Sequence, residues 1–184
     1  MLEQSMTESK KIELELTTPP EVIFYQLAKM RGFLVEPATG MEQLDHVDFH
    51  LTSEEEDGTM TAMVDVKPRH YFKPKTKGIH RNDDYDYDYD DEWLWIEFKN
   101  VSGKLGWIHG IADFIAFEIK DSFIVSYRKE LCDWCLEHVD IKNIVPSAQE
   151  AKYIAYSRKG KQDLIARILT EDVIKLPHSQ VWKK

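Results

Sequence analysis

Two short apolar runs carry acids and a lysine at alternate positions, and these are the side chains of this chain best spaced to do chemistry. Val47, Phe49 and Leu51 alternate with Asp48, His50 and Thr52; beyond Glu54 to Gly58, Ala62, Val64 and Val66 alternate with Met63, Asp65 and Lys67. Because side chains of a strand point to opposite faces in turn, Asp48, Asp65 and Lys67 fall on one face whatever register buries the apolar set. Gathered carboxylates repel unless a cation or a proton relieves them. A hard divalent metal supplies that relief, and aspartate oxygens suit Mg²⁺, with Mn²⁺ as the substitute. A lysine beside such a centre stabilises charge developing on a phosphate or helps to position an attacking water. This is equipment for metal-assisted hydrolysis of a phosphodiester.

Those residues need a hairpin to hold them. Asp57-Gly58 between alternating runs reads as its two-residue turn, which sets Asp48 opposite Lys67 and Phe49 opposite Val66, with Asp65 diagonal to Asp48. Upstream, Ile12 to Leu16 reads as a short strand. Thr18-Pro19-Pro20 opens a helix with Glu21 in its first turn, Val22, Ile23, Leu27 and Met30 form its stripe, and Gly32 ends it. Downstream, Trp93 to Lys99 is a strand with Leu94, Ile96 and Phe98 on one face and Trp93, Trp95, Glu97 and Lys99 on the other. Gly103, Gly106 and Gly110 punctuate a compact connection, Phe114 to Ile119 and Phe123 to Tyr127 pair across Lys120-Asp121, and Arg128 to Val139 is a helix. Ala148 to Tyr156 reads as a shorter helix and Ile168 to Ile174 as a strand. The sum is a single mixed α/β domain over residues 1–184, a mixed central β-sheet flanked by helices, with 1–11 as a flexible tail.

Residues 68–92 break the pattern. Arg69, Lys73, Lys75, Lys77 and Arg81 form a basic block with Tyr71 and Phe72 interleaved, suited to a nucleic-acid backbone and its bases. An acidic run from Asp83 to Glu92 follows at once. Opposed blocks of this kind read as a long charged loop, in which the acids can fold back as a phosphate mimic. The net charge of −9 argues against a nucleic-acid partner until this run and Glu54 to Asp57 are set aside; the rest is near neutral. Met1 to Lys11 lacks the apolar core of a signal peptide and no apolar run reaches spanning length, so the expectation is an intracellular protein with no membrane partner.

An acid on one strand followed by acid-x-Lys on the next resembles the PD-(D/E)XK nuclease superfamily, through Asp48 and then Asp65-Val66-Lys67. Val47 stands where that motif's leading proline would be. The segments WLWIEFKNVSGKLGWIHGIADFIAFEI and FIVSYRKEL are similar to phage and large-DNA-virus members, and the likeness runs from about Glu21 to Trp134. The resemblance implies a restriction-endonuclease-like core and a Mg²⁺-dependent nuclease acting on DNA, RNA not being excluded. It implies Asp48 and Asp65 as metal ligands, Lys67 supporting the attacking water, and Glu97 or Lys99 assisting near the phosphate. It also implies a place in the cytoplasm or nucleus of a host cell.

Several readings stay open beside it. Glu97-Phe98-Lys99 is a second acid-x-Lys, with Glu97 as the alternative second ligand. Glu21 is either a supporting acid or a helix-start acid complementing the macrodipole. Cys132 and Cys135 with His138 lack the second pair that a closed zinc site needs, and read as buried thiols. Arg158-Lys159-Gly160-Lys161 is either a phosphate contact or a solvated turn. A nuclease fold that binds nucleic acid or protein without cutting is the alternative function.

Overall fold

The computed structural model of the protein describes residues 19–55, 58–72 and 88–184. The strand read at Ile12 to Leu16, the hairpin turn, and Lys73, Lys75, Lys77 and Arg81 lie wholly or partly outside the described residues.

Helix α1 (Pro20–Met30) begins on two prolines, whose fixed φ suits a first turn that needs no N–H partner, with Glu21 beside it. Phe24, Leu27 and Ala28 form its buried face, and Gly32, at φ +90°, supplies the left-handed residue that turns the chain into β1 (Leu34–Pro37). A short α2 (Gly40–Leu44) is closed by a capping box: Glu42 N–H donates to Thr39 Oγ1, and Thr39 N–H donates to Glu42 Oε2 at 2.8 Å. Then come β2 (Phe49–Glu55), β3 (Gly58–Lys67), β4 (Tyr71–Phe72), β5 (Asp88–Tyr89), β6 (Trp93–Lys99), β7 (Phe114–Ile119) and β8 (Ser122–Tyr127). The chain finishes with α3 (Arg128–His138), β9 (Asp140–Val145), β10 (Ile154–Tyr156), β11 (Leu164–Leu169), α4 (Thr170–Ile174) and β12 (Gln180–Lys183).

These strands make two main sheets. The first has six strands in the order β1-β2-β3-β7-β8-β12, parallel at β3–β7 and antiparallel elsewhere; the second has four, β6-β11-β10-β9. Strands β4 and β5 pair as a separate ribbon. The protein is thus mixed α/β, with a mixed central sheet flanked by helices. Alternate residues of the same strands enter two different cores. Val64, Val66, Ala116, Phe123 and Val125 pack under α1 with Phe24, Phe49 and Trp182. Ile115, Phe117 and Ile124 point the other way, onto Leu94, Ile96 and Phe98 of β6 and Leu131 of α3. Phe24 anchors the first core: wholly buried, it stacks on Trp182 at 5.6 Å and meets Phe123 edge-on at 5.3 Å. Burying a side chain of that size contributes roughly 1.5–3 kcal/mol.

Several expectations are corrected here. Glu55 pairs with Gly58 and Phe49 with Val64, so the hairpin register differs by two residues from that of an Asp57-Gly58 turn. A slip of two keeps every side chain on its face, which is why the apolar pattern alone does not distinguish the registers. Val47 leaves the set of Phe49 and Leu51 and joins the opposite core, because the chain quits the ladder before β2, after a left-handed His46 at φ +61°. Residues 148–156 form a 3₁₀ turn (Ala148–Glu150) and strand β10 instead of a helix, and the strand read at Ile168 to Ile174 is β11, which ends at Leu169 before α4 begins at Thr170. The 68–92 segment is built in at both ends: besides the β4–β5 ribbon, Asp91 grips Arg69 through two bonds of 2.6 Å and Asp90 pairs with Arg167 at 3.0 Å. Among the described residues, no helix is long and apolar enough to cross a membrane.

Candidate active site

Asp48 is delivered by a fixed local structure. The capping box holds α2, Val47 N–H donates to Glu42 O at 3.0 Å, and Glu42 also meets His50 Nε2 at 3.1 Å. The Thr39 backbone bond first, then the Thr39 hydroxyl and His50, hold the Glu42 carboxyl down at about 2. Asp48 then binds β3 twice: its N–H donates to Val64 O at 2.8 Å, and its Oδ2 accepts the Val66 N–H at 2.7 Å. A side-chain oxygen thus stands where a ladder carbonyl would be, and it straddles Asp65.

Asp65 lies in the middle of the sheet, 3 % exposed, between β2 and β7. It faces the second sheet, in register with Ile115. Lys67 Nζ approaches Asp65 Oδ2 to 2.7 Å, so this buried oxygen depends on a single ammonium as its charged partner. Burial drives the Asp65 carboxyl up to about 7; Lys67 opposes the rise and the adjacent Asp48 adds to it. The corrected register therefore sets Asp48 beside Asp65, whereas the expected one put it across from Lys67. Lys67 lies instead 5.0 Å from the centre of the Trp107 ring.

Glu97 and Lys99 were expected to assist near the phosphate, with Glu97 as the alternative second ligand. They belong to β6, at the edge of the four-stranded sheet, and β7 occupies the position next to β3. Glu97 still borders the cluster: half-buried His46 is held low by burial first and by Lys67, with Glu97, Asp48 and Asp45 opposing. Lys99 is exposed, and its backbone bridges to Leu105. Glu21 opens a helix that packs on the Val64 and Val66 face, opposite to Asp65. Arg69, expected to bind nucleic acid, is engaged by Asp91. Cys132 and Cys135 are buried free thiols, with Cys132 Sγ 3.5 Å from His109 Nδ1. Arg158 is tied to buried Asp163.

Trp107 and Asp113 were not singled out from the sequence. Gly106 packs so tightly on β6 that a Cβ there would come within 2.2 Å of Glu97 O, and this approach seats Trp107 beside Lys67. The glycine spacing was the available signal. Asp113 Oδ2 accepts Met63 N–H at 2.8 Å and clamps β3 from the β7 side.

Among the described residues, no three His, Cys, Asp or Glu side chains converge as a metal cluster. Mg²⁺ needs fewer: it keeps several waters and binds through one or two carboxylates plus substrate oxygens. The buried Asp65 carboxylate, with Lys67 as its charged partner and the Asp48 carboxylate beside it, fits that donor set. Comparison of the chain with protein-family models, curated proteins and solved structures gives no match.

Proposed function

We propose that this protein is a Mg²⁺-dependent nuclease of the PD-(D/E)XK type, with a restriction-endonuclease-like core, hydrolysing phosphodiester bonds in DNA, RNA being the second substrate. One observation carries the reading: Asp65 is buried in the sheet against Asp48, and among the described residues Lys67, on the same strand, is the cation that pairs with it. Burial raises such a carboxyl unless its partners compensate, and a strongly shifted acid beside a second carboxylate is what supports a functional role here.

Asp48 and Asp65 would hold the metal. When bound, Mg²⁺ supplies Lewis acidity toward a phosphate oxygen and lowers the pKa of a water. Asp48 is kept in place by the Val66 N–H, so its second oxygen is free of ladder duty. Lys67 is the counter-ion of Asp65; once the carboxylates have another cation, its ammonium serves charge on the phosphate or orients the attacking water. Trp107 shields one side of that ammonium. Displacement is in line, with no covalent intermediate. Glu97 contributes at longer range.

A second reading, a nuclease-fold module that binds nucleic acid or protein without cutting, is favoured by the closed Asp65–Lys67 pair. Incubating the purified protein with single-stranded, duplex and branched DNA and with RNA separates the two. Cutting in Mg²⁺ or Mn²⁺ that EDTA abolishes is the expected result. Well-folded protein that cuts none of these substrates with either metal sinks the nuclease reading.

A further inference from the structure

Beside the carboxylate cluster lies a cavity of about 170 Å³. Its walls include Trp93, Trp95, Trp107, Phe117, Lys67 and Glu118. It sits where the two sheets meet, at the end of β3. Resting on the nuclease reading, we infer that this cavity receives a single unstacked nucleobase of the substrate strand, the base next to the phosphate that Lys67 meets.

Size is the first argument. An apolar cavity of about 150 Å³ is enough for one benzene ring, and drug-sized ligands need roughly 300 Å³ or more. The space therefore fits one planar ring system. Wall chemistry is the second. Trp107 and Phe117 meet edge-on at 5.8 Å, and the two β6 tryptophans border the space with the Arg167 guanidinium over their rings, at 5.6 Å from Trp93 and 5.5 Å from Trp95, and His70 against Trp95 at 5.4 Å. Base-on-aromatic stacking works for every base, since each has a π-face.

Polar groups at the wall fit a base as well. Trp95 Nε1 is buried and has no hydrogen-bond acceptor among the described residues. A base offers that acceptor. Glu118 accepts from Arg69 N–H at 3.1 Å and from Lys184 Nζ at 2.7 Å, and Asp90 accepts from Arg167 at 3.0 Å. A carboxylate has about four lone-pair sites, so both keep capacity for N–H donors. Both carboxylates are paired with cations, Lys184 and Arg167, and the lone pairs they keep favour a base edge carrying an amine: adenine, cytosine or guanine. Lys67 connects the two halves, because it lines the cavity and pairs with Asp65 at 2.7 Å. One nucleotide can thus place its base in the cavity and its phosphate at the ammonium. The base must be out of its stack, so single strands or flipped nucleotides are the substrates.

Binding tests this without cutting. The full chain in EDTA is titrated with labelled single-stranded DNA carrying one abasic site walked along its length, with affinity and tryptophan quenching both read. One position should stand out, its abasic form binding roughly 5- to 100-fold more weakly, as for loss of one base–aromatic stack. Trp95→Leu should weaken intact strands by a similar factor and add nothing at that abasic position, while Trp95→Phe recovers part of the loss. Thymine at that position should bind more weakly than adenine or cytosine. Equal affinity for all abasic strands, or no binding of single-stranded DNA, overturns the proposal. The wild-type series needs no variant to fold. Cutting that ignores the abasic position removes the pocket and leaves the nuclease; a single sensitive position in a protein that never cuts does the reverse.

Discussion

Asp65 and Asp163 are both buried aspartates, 3 % and 1 % exposed, and their surroundings could hardly differ more. Asp163 takes the Arg158 N–H at 3.0 Å, the Ser157 hydroxyl at 3.3 Å and the Arg158 guanidinium. Burial pushes its carboxyl up, but the Arg158 side chain and backbone outweigh burial and the net shift is downward. Asp65 has one charged partner, Lys67, and a second carboxylate as neighbour, and burial raises its carboxyl to about 7. The first acid is satisfied within the turn from Ser157 to Asp163 and locks that turn. The second is left in deficit by a neighbour from another strand. Burial alone separates nothing; the balance of donors makes one acid part of a locked turn and leaves the other as the candidate site.

The sharpest way to break this contrast is to neutralise each acid. Asp65→Asn, or Asp48→Asn, should lower metal-dependent cutting on the order of 100-fold or more while the fold persists. Asp163→Asn should leave cutting per folded molecule unchanged and cost about 1–3 kcal/mol of stability, the penalty for buried donors that lose their acceptor. Urea melts paired with cleavage rates give both readings. Exchanged outcomes would reverse the roles.

Next in size is the pH dependence of stability. The folded-state pKa of Asp65 lies above its ordinary 3.8, at about 7. Folded protein therefore holds the extra proton between those values, and this group's contribution to stability falls as pH rises through that window and levels off above it. Asp163 has the opposite sign, contributing stability above 3.8 that is lost as pH falls through its lowered folded value. In EDTA, Asp65→Asn should gain on wild type by something on the order of 2–4 kcal/mol between pH 4 and 7. Added Mg²⁺ should flatten the wild-type slope near neutrality, since cation and proton compete for one carboxyl. Parallel curves for the two proteins would remove the deficit assigned to Asp65.

Smallest is the effect of Glu97→Gln. Glu97 lies across the gap between sheets and bears on His46 through space. Cutting should slow only a few-fold, with metal affinity from calorimetry unchanged. A loss as large as that of Asp65→Asn would make Glu97 a ligand and bring β6 into the centre.

Much of this was legible in the linear chain because it depends on period and on neighbours. Alternation of two over Phe49 to Lys67 determined that Asp65 and Lys67 share a face, since a strand cannot present adjacent residues to the same side. Pro19-Pro20 and Gly32 bracketed α1, and Lys120-Asp121 joined β7 to β8, as local backbone preferences dictate. Tertiary structure decided what those rules leave degenerate. A two-residue slip changes no face, so only packing moved Asp48 from opposite Lys67 to beside Asp65. Strand order is a matter of long-range closure, and it inserted β7 beside β3 and sent Glu97 to a second sheet. An acidic run reads alike whether solvated or paired; Asp90 and Asp91 became structural because Arg167 and Arg69 arrive from elsewhere in the fold. The charge deficit at Asp65 exists only because the second sheet covers a face whose sequence pattern is polar, and water is thereby kept from a carboxylate that has too few donors of its own.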